Sequence, residues 1–212
     1  KVLITAGPTY EKIDPVRFIG NHSSGKMGFT LAEEFYLQGA DVILITWPTN
    51  EKVSYNGISE VHVNSSDEMY KACGDYFADC SIMVMSAAVA DYKPANYSSE
   101  KIKKKEDQWQ LQLIKTKDIL QYLGSIKKAG QFIAGFALET ENEKANAIAK
   151  LKNKNADCII LNSLNDKEAG FGFDTNKISI IDQSGKEQVY DLKTKKEVAK
   201  DIVSYIISKL NV

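Results

Sequence analysis

Short runs of apolar, mostly β-branched residues recur along the chain, separated by stretches with helical spacing. No other feature of the sequence constrains the fold as strongly. Val2–Thr5, Val42–Thr46, Cys80–Ser86, Phe132–Phe136 and Cys158–Asn162 have strand length and are almost continuously apolar. A strand with no polar face is buried on both sides, so these runs read as parallel strands covered by helices. Helices are expected between them, at about Gly25–Leu37, Asp67–Phe77, Asp118–Lys128 and Glu141–Lys152. In the first, Met27, Leu31 and Phe35 recur at four-residue spacing and build one apolar stripe. Ser65 or Ser66 is placed to cap the second, whose first turn carries the acidic residues that suit a helix start. Val61-His62-Val63 is a weaker strand candidate.

This alternation predicts an α/β class, a Rossmann-like, doubly wound and mainly parallel sheet. Later the pattern changes. Lys177–Asp182 and Glu187–Asp191 flank Gln183-Ser184-Gly185-Lys186 as a late antiparallel hairpin, and a helix from about Lys195 to Leu210 follows. The 212 residues suit a single domain over 1–212, and 43% apolar content can fill its core. A formal net charge of −1 argues against nucleic acid as a partner, because such binders are normally basic. No apolar run approaches the ~18–20 residues that span a bilayer, so no membrane partner is expected. The opening Val2-Leu3-Ile4-Thr5 reads as a strand and not as a signal peptide. Cys73, Cys80 and Cys158 lack metal-ligand spacing, and buried free thiols in a reducing cytoplasm are expected. Tyr92–Gln108 fits neither element type. It contains Pro94, Asn96 and then Lys101-Ile102-Lys103-Lys104-Lys105, too polar for a core and long for a connection. A mobile loop near 92–108, serving as a lid, is expected there, with a solvated charge run as the alternative.

In a doubly wound sheet, ligands bind beyond the carboxyl ends of the strands, where the strand order reverses. Thr5-Ala6-Gly7-Pro8-Thr9 follows the first strand at that edge, and Ser86 leads into Ala87-Ala88-Val89-Ala90-Asp91 after the fourth. Small residues there admit a ligand to the backbone, although each turn alone reads better as an ordinary strand end. Gly20-Asn21-His22-Ser23-Ser24-Gly25-Lys26 has phosphate-loop spacing up to its lysine. Met27 stands where the metal-binding hydroxyl belongs, and the segment is not expected to follow a strand directly, so a standard P-loop is rejected. What survives is a serine- and glycine-rich helix start whose N–H groups suit an anion. Lys150 and Lys154 share a helix face if that helix extends far enough. Neither a hydrolase triad nor a metal cluster follows from the spacing, and the Gly-x-Gly-x-x-Gly dinucleotide fingerprint is absent.

Several longer segments resemble the phosphopantothenoylcysteine synthetase family. They are Ile4-Thr5-Ala6-Gly7-Pro8-Thr9, the run from Ile13-Asp14-Pro15-Val16-Arg17 through Asn21-His22-Ser23-Ser24-Gly25-Lys26-Met27-Gly28, Ala87–Tyr92, Lys101-Ile102-Lys103-Lys104 and Gly135-Phe136-Ala137-Leu138-Glu139-Thr140. The resemblance implies a ligase that activates 4′-phosphopantothenate with CTP as an acyl-cytidylate and couples it to cysteine in coenzyme A biosynthesis. CTP is the nucleotide of typical bacterial members, and eukaryotic relatives use ATP. Magnesium would arrive with the CTP cosubstrate, and neither flavin nor nicotinamide would be bound by this domain. Asn21 is then similar to the residue that holds the acyl-nucleotide, and Lys101 to a mobile-loop lysine that reaches the triphosphate; both are catalytic in this reading. Arg17, Asn21 and Ala88 would bind the acyl substrate. Gly7, Ser86, Ala87, Asp91, Lys101, Lys117, Asp118, Ile119, Leu120, Phe136, Lys150 and Lys154 would bind nucleotide. Lys117 stands where many members carry proline. A homodimer is also implied, and the late hairpin, with Ile178 and Ile180, is the expected pairing surface.

Two other classes compete on the residues alone. A Rossmann-type oxidoreductase fits the strand alternation but requires the missing glycine fingerprint. A nucleotide-binding regulatory module would keep the basic contacts without needing Asn21 or a cysteine site. Pyrophosphate release from CTP and phosphopantothenate separates these alternatives.

Overall fold

The computed structural model describes residues 1–46, 49–104, 107–163, 165, 170 and 172–210. The first half of the chain runs β1 (Val2–Ala6), β2 (Glu11–Lys12), β3 (Phe18–Ile19), α1 (Lys26–Leu37), β4 (Val42–Thr46), β5 (Ser59–His62), α2 (Ser66–Phe77) and β6 (Ile82–Met85). It continues with β7 (Tyr92–Pro94), β8 (Leu113–Lys115), α3 (Ile119–Ile126), β9 (Phe132–Glu139), α4 (Glu143–Asn153) and β10 (Cys158–Ser163). The last elements are β11 (Thr175–Asn176), β12 (Ile178–Asp182), β13 (Glu187–Val189), β14 (Lys193–Thr194) and α5 (Lys195–Lys209).

Eight strands form one sheet in the order β13-β12-β10-β9-β6-β1-β4-β5. The parallel members step outward from β1 to β4 and β5 on one side and to β6, β9 and β10 on the other. This is the doubly wound arrangement, with its reversal between β1 and β6. β12 joins β10 antiparallel and β13 joins β12 antiparallel, giving the late hairpin that the sequence predicts. Alternate residues of the buried strands feed two cores. Val2 and Ile4 pack with Leu31 and Phe35 of α1 and Ile202 and Ile206 of α5. Leu3 and Met83 pack with Met69 of α2, Leu123 of α3 and Leu151 of α4 on the other face. Ser65 caps α2 by accepting from the Glu68 N–H, and Thr194 with Glu197 forms a capping box on α5. Cys73, Cys80 and Cys158 are free and buried, and burial pushes the Cys73 thiol up to about 12.

Three details differ from the sequence reading. The glycine-rich segment does follow a strand, since Phe18–Ile19 pairs with Glu11–Lys12 in a two-stranded ribbon outside the main sheet. The rejection of a P-loop therefore rests on Met27. Ile178 and Ile180 are 2% and 1% exposed beneath α5, so they are core residues and cannot be a pairing surface. The hairpin's outer strand is β13, where Val189 is 64% exposed. Finally, Tyr92–Pro94 of the polar segment pairs with β8 as a second ribbon, while Lys105 of the lysine run lies outside the described residues. Two- and three-residue strands carry too little periodicity to be read from sequence.

Close approach of α3 to the end of α4 depends on one glycine. A Cβ on Gly124 would lie 1.8 Å from the Lys154 carbonyl oxygen. The Asn155 side chain completes the contact by donating to the Gly124 carbonyl at 2.8 Å. Gly124→Ala must push these elements apart, and the expected loss is about 1–3 kcal/mol of unfolding free energy by analogy with overpacked cores. Urea denaturation measures it, and an unchanged midpoint would show that the junction tolerates displacement.

Candidate functional site

The site begins where the turns after β1 and β6 are tied together. Ala88 N–H donates to the Gly7 carbonyl at 2.9 Å, and Thr9 N–H donates to the Ala88 carbonyl at 3.3 Å. Thr5 Oγ1 accepts from Ala87 N–H, and Thr9 Oγ1 accepts from Ala90 N–H at 3.0 Å. Thr116 extends the seam by donating its hydroxyl to the Ala90 carbonyl at 2.7 Å. Gly7 has φ +80°, and Gly25 at the start of α1 packs on it: a Cβ on Gly25 would sit 3.1 Å from the Gly7 Cα. Absence of side chains at this contact brings the first turn of α1 to the sheet edge.

Two clefts open from this edge. The first, about 770 Å³, runs along Ala87, Asp91 and Phe136 to the start of α3 at Lys117, Asp118, Ile119 and Leu120, with Lys115, Lys150 and Lys154 around it. The second, about 350 Å³, shares Ala87, Asp91, Phe136 and Lys150 with the first. It extends past Asn21, Ser86 and Ala88 to Lys26, Asn176 and Lys195. Lys150 stands at the junction. Its Nζ donates to the Phe136 carbonyl at 2.8 Å, and burial lowers its pKa against the opposing pull of Glu139, Asp118 and Asp91. One turn further on, Lys154 reaches Asp118 at 2.7 Å, and Asp118 in turn caps α3 through the Gln121 N–H at 2.8 Å. Lys117 lies over the Tyr70 ring at 4.7 Å, a contact that a proline at this position would not make. Asn21 donates its amide Nδ2 to the Ala88 carbonyl at 2.9 Å, spanning from the glycine-rich segment to the turn after β6.

Arg17 and Lys101 are elsewhere, in a third cleft of about 800 Å³ beside Trp109. The buried carboxylate of Asp14 organises it, accepting from the Arg17 guanidinium, from the Val16 and Arg17 N–H groups and from Ile102 N–H. Arg17 Nη2 also donates to the Ile102 carbonyl at 2.8 Å, and its guanidinium lies 5.2 Å from the Trp109 ring centroid. The lysine loop is thus anchored at the residue beside Lys101. Gly7 lines none of these clefts and acts through the turn it forms. Sequence reasoning missed Lys115, Lys195 and Asn176. Lys115 ends β8 and Lys195 begins α5, elements that look ordinary in sequence, and only the topology turns them toward the sheet edge.

A family model described as the DNA/pantothenate metabolism flavoprotein C-terminal domain matches residues 1–210. The Coenzyme A biosynthesis bifunctional protein CoaBC of Haemophilus influenzae is 41% identical over 208 residues, covering 98% of this chain and 51% of that protein. A Cysteine/Cysteine sulfinic acid decarboxylase of an unknown prokaryotic organism is 47% identical over 208 residues, covering 98% of this chain and 58% of that protein. The chain therefore spans little more than half the length of these relatives. The crystal structure of the C-terminal domain of a CoaBC protein superposes with a TM-score of 0.83 at 38% identity, covering 99% of this chain and 95% of that one.

The Asp14 cluster makes an acid-sensitive anchor. Arg17, through its side-chain hydrogen bonds, holds the Asp14 carboxyl well below the usual range; burial opposes this, and the surrounding N–H groups add to it. Because the folded pKa is depressed, the anchor contributes fully above the unfolded carboxylate pKa of about 3.9 and is lost as pH falls toward the folded value. The stability difference between the wild type and Asp14→Asn should be constant above about pH 5 and shrink below about pH 4. A difference independent of pH would assign the effect to packing instead of charge.

Proposed function

The chain belongs to the DNA/pantothenate metabolism flavoprotein C-terminal domain family, and we propose on that footing that it is a phosphopantothenate–cysteine ligase using CTP. A carboxylate oxygen of 4′-phosphopantothenate attacks the α-phosphorus of CTP, and pyrophosphate leaves. The amine of cysteine then attacks the acyl carbon and loses a proton, the C–O bond to the nucleotide breaks, and CMP departs. A free carboxylate has no adequate leaving group, which is why the activation step is needed.

The observation that carries this reading is the pair of clefts joined at Phe136 and Lys150. Nucleotide in the first cleft would meet Lys117, Lys150 and Lys154 with Asp91 and the α3 start, while the acyl substrate would occupy the second beside Asn21 and Ala88. The cations oppose the charge that gathers on the triphosphate during attack, and they do so inside a cleft where water screens less. Magnesium is proposed as the companion of the triphosphate. Arg17 and Lys101 share the third cleft, so their proposed roles require the loop near 92–108 to move, with release of the Asp14–Ile102 contact. A homodimer and a cytoplasmic setting complete the proposal.

The decarboxylase name belongs to a relative of which 58% is matched. The coenzyme A name is attached to a structure of the matched region itself, and the ligase reading follows that attachment. Purified protein should release pyrophosphate from CTP only with phosphopantothenate, and CMP only after cysteine is added; parallel reactions with ATP test the nucleotide. Failure of both nucleotides would end the ligase reading.

Asn21→Asp replaces a donor by an acceptor opposite the Ala88 carbonyl. Turnover should drop on the order of 10²–10³-fold, as when one oriented donor is removed from a charge-stabilising site. Nucleotide binding should be spared. Turnover at the wild-type rate would remove Asn21 from the mechanism.

A further inference from the structure

Glu11 lines none of the three clefts, yet it belongs to the ribbon that carries the chain to Asn21. It is only 3% exposed. Taking a carboxylate out of water is costly unless strong partners replace the water. Among the described residues Glu11 forms no salt bridge. Its Oε1 accepts instead from the N–H of Ser66 at 2.8 Å, and Ser66 is the first residue of α2. That N–H is one of the donors a helix start leaves unpaired, and the helix dipole favours a negative group there. Local side chains do not replace Glu11. Ser65 accepts from the Glu68 N–H at 3.3 Å, and Glu68 reaches back to the Asn64 N–H. The Ser66 hydroxyl is buried without a hydrogen-bond partner among the described residues.

The ribbon is too short to hold its own position. It consists of two residue pairs, Glu11 with Ile19 and Lys12 with Phe18, and an isolated two-stranded hairpin is marginal in water. Its far end is gripped by the Asp14 cluster. Its near end rests on the connection from β5 to α2, where Tyr10 N–H donates to the Asn64 carbonyl at 3.1 Å and Glu11 docks on Ser66. From there contact passes to Asn21 in two steps. The Tyr10 ring stacks on Phe18 at 4.0 Å, and Gly20 lies against it, since a Cβ on Gly20 would be 2.6 Å from a Tyr10 ring carbon. Asn21 comes next, itself exposed, so the backbone before it sets where its amide meets the Ala88 carbonyl.

We propose that Glu11 is a positioning residue for Asn21: it docks the β2–β3 ribbon on the start of α2, and Tyr10 and Gly20 carry that docking to the Asn21 amide. The inference rests on the ligase reading, which gives Asn21 its role, and deepens it. An apolar side chain could fill the space of Glu11, but only an acceptor ties the ribbon to one N–H and so to one placement. Reacting groups tolerate such displacement poorly, since a shift of about 1 Å costs on the order of 10²-fold in rate.

The test compares Glu11→Ala with Glu11→Gln in uniformly nitrogen-15-labelled protein. The side-chain amide of Asn21 is identified as the signal missing from Asn21→Asp. It should shift in Glu11→Ala, while the Asn155 amide, bonded to the Gly124 carbonyl at the α3–α4 junction, stays in place. Glu11→Gln keeps the shape and an acceptor, so it folds even where the alanine variant does not, and it should give the same shift in smaller measure. In the ligase assay Glu11→Ala should lower kcat about 10–100-fold. KM for CTP should be unchanged, because Asn21 lines the second cleft and not the first. Placed on Asn21→Asp, the same substitution should cost little further, because residues that act as a unit are not additive. An Asn21 amide unmoved in the variants that fold, a shift of both amides, or a full loss repeated on Asn21→Asp overturns the assignment. A responsive Asn21 amide in a protein that catalyses no ligation would contradict the ligase reading and leave the coupling of Glu11 to Asn21 standing.

Discussion

The site depends on the seam between the turns after β1 and β6. Parallel strands that diverge at a switch point normally leave their connecting turns apart, and that gap is where a ligand enters. Here Thr5, Thr9 and the backbone of Gly7 and Ala88 close the floor of the gap with hydrogen bonds. Buried backbone groups that would otherwise lose their water partners are satisfied in the process. Gly25 packs on Gly7 across the same floor, so the start of α1 and the turn after β6 are fixed relative to one another. Asn21 then bridges them, and both clefts take their shape from that arrangement.

Above the floor, lysines are held by short contacts instead of being left to solvent. Lys150 is tied to the Phe136 carbonyl and Lys154 to Asp118. Holding a cation before an anion arrives removes part of the ordering cost that binding would carry, and burial strengthens its field. The expense appears in the lowered pKa of Lys150, whose charged form burial disfavours; in the proposed function a bound anion would offset it. Lys101 belongs to a different regime: it sits on a polar loop held at its neighbour Ile102 and, three residues earlier, by Ser98 N–H donating to the Ile13 carbonyl.

Much of this was legible in the sequence, for identifiable reasons. The doubly wound sheet follows from strands that have no polar face, such as Val42–Thr46, because few other folds bury both faces. Helix ends were set by neighbours: Lys127 leaves α3 to reach Asp157 and Asn155, a tertiary contact that local pattern does not encode. The inward turn of Ile178 and Ile180 was missed because a half-covered edge hairpin and a fully covered one share the same alternation until α5 is placed over it. Gly7, Ala87, Ala88 and Asn21 were recognisable from longer segments and not from their own chemistry. Lys195 had no such signal, since a lysine beginning a helix is unremarkable until the fold brings it opposite Lys26.

In the proposed ligation a carboxylate is activated by transfer to the α-phosphorus of a nucleotide in the joined clefts. Isotopic oxygen reports this step directly. Phosphopantothenate labelled with oxygen-18 in its carboxylate should deliver one labelled oxygen to the nucleoside monophosphate when cysteine completes the reaction, with none in the pyrophosphate. Label in pyrophosphate or inorganic phosphate, or unlabelled monophosphate alongside ligated product, would contradict the account.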